Sequence, residues 1–230
     1  MEIKIIASGS SGNCYHISDG NDSLLIECGI QLQAIRKALD FKLSGISGCL
    51  ISHSHLDHCR VTDKLLKAGL DCYMSESTRQ STGVMSHRVH VFQSLQIFNI
   101  GSWKVLPFPL EHDAENHGFL IVSKTGEKLC YITDSYYCKY QFKGVHYYMI
   151  ECNYDKDLLE ENIQSGIVPA EIRNRITRSH FELQNVKDFF RANDLSVAKE
   201  IHLIHRSSSN CPTDVQEQIQ ALTGKEVYTQ

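Results

Sequence analysis

The chain has 230 residues, a formal charge of −4 and 42% hydrophobic residues, enough apolar material for one large domain, spanning 1–230, with a substantial core. That balance sets up no overall basic field to hold a long polynucleotide, so no stable nucleic-acid partner is expected. Nine cysteines without a CxxC pair suit reduced thiols better than a disulfide framework, and no apolar run approaches the roughly 20 residues that span a bilayer.

The opening stretch MEIKIIASGSSGN lacks a basic segment followed by an apolar signal core, so a cytoplasmic protein without membrane attachment is expected. IKIIAS, CYHIS and SLLIECG are strand-like runs separated by Gly, Ser and Asn turns, and IQLQAIRKALDF carries helical spacing at Ile30, Ala34, Ile35, Ala38 and Leu39. SGCLIS is too short for a helix and predicts a buried strand ending where ISHSHLDHC begins, which puts that cluster on a strand-end loop. RVTDKLLKAG then predicts a helix closed by Gly69, DCYMS a strand and SESTRQSTG a short helix. Residues 88–152 are strand-rich, through VHVFQ, QIFNI, WKVLPFPL, GFLIVSK, KLCYIT and YYMIEC, with KTGEK as a hairpin turn. The remainder turns helical in KDLLEENIQSG, PAEIRNRIT and ELQNVKDFFRAND, before a last strand EIHLI and a closing helix TDVQEQIQALTG. Two successive mixed halves, with no repeat or linker, fit an α/β chain folded as a single-domain αββα sandwich.

Residues 51–59 crowd His53, His55, Asp57 and His58 directly after an apolar run. Three imidazoles and a carboxylate are good ligands for a borderline divalent ion such as Zn²⁺. In an extended segment His53 and His55 fall on one side, whereas the adjacent Asp57 and His58 diverge, so one loop feeds two metals. Four ligands cannot complete two sites, and three further strand-like runs end in a ligand type: PFPLEHD at His112, LCYITDS at Asp134 and EIHLIHR at His205. His53, His55 and His112 then serve one ion and Asp57, His58 and His205 the other, with Asp134 bridging. Such a pair of ions activates water and bears charge on the attacked group and its leaving oxygen.

HxHxDH at 53–58, followed by separate His, Asp and His, resembles the metallo-β-lactamase superfamily along nearly the whole chain. The resemblance implies the αββα fold, a dinuclear centre of two divalent ions, chiefly Zn²⁺ with Mn²⁺ or Mg²⁺ as alternatives, and a role for Asp57 in orienting the nucleophile as well as in ligation. LEHDAENHGF lacks the PGH context of glyoxalase and lactonase branches and is similar to the ribonuclease Z and phosphodiesterase branch. TRSHFELQNV resembles that branch's Gly-His segment, with Ser179 where Gly is usual. His180 then becomes a general acid or a hydrogen-bond donor to the phosphate, and Glu182 either orients it or caps the next helix. SGSSGNCY, ITDS, IECNYD and H…SSSNCP look like the WalJ/YycJ-type nucleases and, equally, the anti-Pycsar (Apyc-type) phosphodiesterases with which phages destroy cyclic pyrimidine nucleotide signals. The compact acidic chain fits a small cyclic nucleotide, cCMP and cUMP included, better than a polymer. Hydrolysis to a linear nucleoside monophosphate is the expected activity, a single-strand DNA or RNA nuclease the alternative, and the resemblance also suggests a homodimer in a bacterial or infected host cell.

SGSSGN exposes consecutive backbone N–H groups but lacks the Lys and helix of a P-loop. It predicts a tight turn, and in the implied fold it lies near the metals, so Ser10, Ser11 and Asn13 are candidate substrate contacts, together with Arg206 for a phosphate. His16, His87, His90, His117, His146 and His202 are expected to be structural or exposed, and Cys59 a small buried hydrophobe. The aromatic segments YYCKYQF and HYYMI are expected in core or dimer packing, with base stacking as the alternative.

Overall fold

The structure, a computed structural model, describes residues 1–229. Its first part runs through β1 (Glu2–Ala7), β2 (Cys14–Ser18), β3 (Ser23–Ile26), α1 (Leu32–Ala38), β4 (Gly48–Leu50), α2 (Leu56–Cys59), α3 (Thr62–Lys67), β5 (Cys72–Met74), α4 (Glu76–Thr82) and β6 (Val89–Val91). Then come β7 (Phe98–Ile100), β8 (Trp103–Leu110), β9 (Asn116–Val122), β10 (Lys128–Ile132), β11 (Tyr147–Glu151), α5 (Lys156–Gln164), α6 (Arg173–Ser179), α7 (Leu183–Ala192), β12 (Glu200–Ile204), α8 (Val215–Thr223) and β13 (Glu226–Thr229). Two sheets result, one ordered β1-β2-β3-β4-β5-β6 and the other β13-β12-β11-β10-β9-β8-β7. The chain divides into two compact units, residues 1–109 with 114–127 and residues 110–113 with 128–230.

In the first unit β1 and β2 pair antiparallel, while β3 to β6 run parallel, with Leu24 opposite Gly48 and Cys49 opposite Cys72. Every residue of β3 and β4 is buried, as expected of parallel strands covered on both faces. Cys28, Ile35, Cys49, Ile51, Leu65, Leu66 and Cys72 form the core between this sheet and its helices. In the second unit β10 to β13 are parallel, in register Leu129↔Tyr147, Tyr148↔Ile201 and Ile201↔Val227. Helix α7 buries Leu183, Val186, Phe189 and Phe190, the apolar stripe of a helix on a sheet. No helix among the described residues is long and apolar enough to cross a membrane.

Two elements depart from the sequence reading. The last strand is β13, not EIHLI; its exposed Glu226 and Tyr228 alternate with buried Val227, an edge-strand pattern too short to register as periodicity. The ligand cluster is only half loop, because Leu56–Cys59 turns into α2. All nine cysteines are free and buried.

Candidate metal centre

Parallel strands present whatever follows their C-terminal ends to one edge of the sheet, where α/β proteins build their sites. His53 lies three residues beyond β4, Asp134 two beyond β10, Glu151 closes β11 and His205 directly follows β12. Backbone conformation marks these ends. Glu27, Asp134 and His205 adopt φ of 61°, 47° and 50°, left-handed values that cost a non-glycine residue on the order of 1 kcal/mol or more each.

In the first unit the His53 ring centroid is 4.7 Å from that of His55 and 4.2 Å from that of His58. His53 Nδ1 is hydrogen-bonded to Ser52 Oγ at 2.9 Å. Asp57 and His58 sit on α2, and Asp57 Oδ2 is 3.4 Å from His58 Nε2. This turn is pinned from below: Asn13 N–H donates to the Asp57 carbonyl at 2.7 Å and Cys28 N–H to the His58 carbonyl at 2.7 Å. The fit leaves no room at Gly29, where an added Cβ would stand 1.6 Å from the Asp57 carbonyl oxygen. The fully buried Glu27 brings Oε1 to 3.5 Å from His58 Nδ1, while its Oε2 accepts the Ser52 N–H at 3.3 Å.

In the second unit His112 Nδ1 donates to the Ser179 carbonyl at 3.1 Å, and its Nε2 lies 3.0 Å from Asp113 Oδ1 and 3.8 Å from Asp134 Oδ2. Glu151, with no exposed surface, organises the rest. Its Oε1 is 2.7 Å from His180 Nδ1 and 2.9 Å from His205 Nδ1, and its Oε2 accepts the N–H groups of Ser135 at 3.0 Å and Phe181 at 3.2 Å. His205 Nδ1 is also 3.0 Å from Asp134 Oδ1, and its ring stacks on that of His180 with centroids 5.4 Å apart. Asp134, Glu151, His180 and His205 thus form a group whose ligand-type atoms lie within 4.8 Å of one another.

Charge and burial oppose each other here. Burial pushes the Glu151 carboxyl up, but the imidazolium of His180 and the hydrogen bonds from His180 and His205 outweigh it and the repulsion of Asp134, holding Glu151 below the usual carboxylate range. Burial lowers His180, yet the charge and hydrogen bond of Glu151 prevail and hold this imidazole above its ordinary value.

These residues fit divalent metal. In His112 and His205, Nδ1 is committed to a carbonyl or carboxylate, which fixes the tautomer that offers Nε2 as a ligand. The 3.8 Å between His112 Nε2 and Asp134 Oδ2 is within the roughly 4.2 Å that two donors about 2.1 Å from one ion can span.

Other candidates are placed as follows. Ser10 and Ser11 are exposed on the β1–β2 turn. Asn13 is fully buried, with its amide 3.2 Å from both the Asp57 carbonyl and His58 Nε2, so its contacts support the ligand turn. Arg206 Nε donates to Cys211 Sγ at 3.5 Å. Glu182 accepts the Asn185 N–H at 3.1 Å and caps α7; the carboxylate behind His180 is Glu151. Cys59 is buried and its thiol is pushed up to about 12 by burial. Among the set-aside histidines, His90 pairs with Asp71 at 3.1 Å, His202 with Glu200 at 3.0 Å, and His146 Nδ1 accepts the Lys128 N–H at 3.2 Å.

Glu27 and Glu151 were not singled out from sequence, although a signal was present. SLLIEC and YYMIEC both end an apolar strand in Glu-Cys, and a carboxylate at the end of a fully buried strand demands partners.

The family model described as the metallo-beta-lactamase superfamily matches residues 7–126, more than half of the chain. Exodeoxyribonuclease YycJ of Bacillus anthracis is 26% identical over 225 residues, covering 91% of this chain and 84% of that protein. Exodeoxyribonuclease WalJ of Streptococcus pneumoniae is 27% identical over 228 residues, covering 91% and 83%. Among solved structures, the metallo-beta-lactamase fold protein YhfI from Bacillus subtilis superposes with a TM-score of 0.75 at 16% identity, over 99% of this chain and 95% of that one.

Proposed function

This chain belongs to the metallo-β-lactamase superfamily, and from that premise we propose that it is a dinuclear-metal phosphodiesterase that opens cyclic mononucleotides to linear nucleoside monophosphates. In this reading His53, His55 and His112 would hold one ion, Asp57, His58 and His205 the other, and Asp134 would serve both. Support comes from His53, His55, Asp57 and His58 gathered beyond β4 in the first unit and from His112, Asp134 and His205 gathered in the second. Zn²⁺ suits this imidazole-rich set best, with Mn²⁺ or Mg²⁺ as substitutes. When bound, such ions supply Lewis-acid charge stabilisation and an activated water.

The chain's own residues do the rest. His180 supplies a proton from Nε2 to the departing ribose oxygen, and Asp57 orients the attacking water. Glu151 fixes His180 through Nδ1 and holds this imidazole above its ordinary value. The observation that carries the proposal is this Glu151–His180 pair at 2.7 Å, stacked against His205. An alkoxide leaving group needs such an acid. Pyrimidine forms such as cCMP and cUMP, a role in phage evasion of cyclic-nucleotide immunity, and a homodimeric assembly extend the same reading and rest on the motif resemblance.

A second reading is a single-strand DNA or RNA nuclease, favoured by the two relatives named exodeoxyribonuclease, which align with 91% of the chain. One experiment separates the two. Metal-loaded protein is incubated with cyclic mononucleotides, cyclic dinucleotides and labelled single-stranded DNA and RNA, and products are resolved by chromatography. Metal-dependent opening of cyclic mononucleotides, abolished in Asp57→Ala while the variant keeps its circular dichroism spectrum, is the expected result. Polymer shortening with cyclic nucleotides intact transfers the assignment to the nuclease, and near-normal turnover in Asp57→Ala sinks the mechanism.

A further inference from the structure

The loop after Asp134 carries an aromatic run, YYCKYQF, which packing was expected to absorb. It absorbs only part: Cys138 and Phe142 are buried, whereas Tyr136 and Tyr137 are 40% and 54% exposed. By contrast Tyr147 and Tyr148 of the second run lie in the core on β11. Two large rings held out in water, three residues or fewer from a candidate ligand, need a different explanation.

The loop is anchored. The Ser135 hydroxyl donates to the Tyr137 carbonyl at 2.8 Å, Asn185 Nδ2 to the Tyr136 carbonyl at 3.2 Å, and the Phe142 N–H donates to Asn193 Oδ1 at 2.6 Å. Between it and α7 lies a cavity of about 240 Å³, whose walls include Tyr137, Tyr140, Phe181, Asn185, Phe189 and Asn193. Aromatic and aliphatic carbon forms part of the surface, and side-chain amides and Asp188 interrupt it. The volume is below the roughly 300–1,000 Å³ of pockets for drug-sized ligands, so it suits one planar ring system and not two. Both walls lead back to the centre along the chain: Tyr137 lies three residues after Asp134, and Phe181 directly follows His180.

We infer that this cavity is a nucleobase subsite, with Tyr137 as the stacking platform and the side-chain oxygens of Asn185 and Asp188 toward the base edge. The inference rests on the phosphodiesterase reading and adds where substrate specificity is decided. Aromatic stacking tolerates any base because every base has a π-face, so Tyr137 supplies binding while Asn185 and Asp188 bias the choice. The shared ligand chemistry is one heteroaromatic base attached to the reacting phosphate. A cyclic mononucleotide and the terminal nucleotide of a strand both supply it.

The test compares metal-loaded wild type, Tyr137→Ala, Tyr137→Phe and Ala192→Phe on two substrates. One is whichever nucleotide ester the wild type hydrolyses, cyclic cytidine monophosphate or a short labelled oligodeoxynucleotide. The other is methyl p-nitrophenyl phosphate, a diester without a base. We expect Tyr137→Ala to raise KM for the nucleotide about tenfold, in the span produced by losing one base–aromatic stack, with little change in kcat. Tyr137→Phe keeps the ring and stays near wild type. Ala192→Phe, which adds bulk to the cavity wall from the exposed end of α7, raises KM as Tyr137→Ala does. All four proteins hydrolyse the base-free diester alike. An unchanged nucleotide KM in both Tyr137→Ala and Ala192→Phe overturns the subsite. Parallel losses on the base-free diester overturn it too, because they show damage to the centre. If wild type hydrolyses neither substrate, the phosphodiesterase reading has failed and the subsite falls with it.

Discussion

Two glutamates at the ends of parallel strands explain why imidazoles here hold fixed orientations. Glu151 is bound by two side-chain and two backbone donors, and replacing its carboxylate by an amide removes the charge that raises the His180 imidazole. Glu151→Gln is expected to lower kcat about 100-fold, at the lower bound for loss of a general acid. Glu182→Ala, at the residue that caps α7, is expected to leave kcat intact and to cost about 1 kcal/mol of stability. Steady-state kinetics and urea unfolding on the two variants check the division; a collapse of kcat in Glu182→Ala would reverse it. Histidines and aspartates at 53–58, 112, 134 and 205 stood out in the sequence because their side chains are ligand types crowded after apolar runs. Glu27 and Glu151 did not, because one acid at a strand end looks like any surface acid until the strand is known to be buried on all sides.

At the scale of elements, the parallel strands were legible as unbroken apolar runs, and most helices as periodic stripes with a cap or a glycine at the end. The one-turn α2 was not, since four residues are too few to show a period and the turn forms because Asn13 and Cys28 pin its carbonyls. A second pin joins the β2–β3 turn to the β7–β8 turn. Asp22 accepts from Ser47 Oγ at 2.6 Å, from Ser102 N–H at 2.8 Å and hydroxyl at 2.9 Å, and from Ser23 N–H at 2.7 Å. Burial pushes this carboxyl up, but the serine hydrogen bonds prevail and hold it below its ordinary value. A depressed folded-state value means that the contribution to stability is fully present above the ordinary carboxylate range, near pH 4, and fades as pH falls through the folded value. Asp22→Asn should therefore flatten the acid limb of a stability-versus-pH curve measured by thermal unfolding between pH 3 and 6. An unchanged limb would assign acid sensitivity to other groups.

For the molecule as a whole, ligand binding and folding pull in opposite directions at the centre. Asp134 is buried in a left-handed conformation beside the Glu151 carboxylate, whose ionisation it opposes. Asp134→Gly relieves both the backbone strain and the like-charge contact. In chelator the variant is expected to melt above wild type. With Zn²⁺ added the order should invert, because only the intact ligand set gains stability from binding. Differential scanning calorimetry in both conditions checks this, and a wild type that melts higher in chelator as well would show that the carboxylate stabilises the metal-free fold. The left-handed residues Glu27, Asp134 and His205 thereby set a hazard for engineering. A library screened only for survival on heating without metal is expected to favour glycine at these candidate positions, so that its most heat-resistant members lose metal binding.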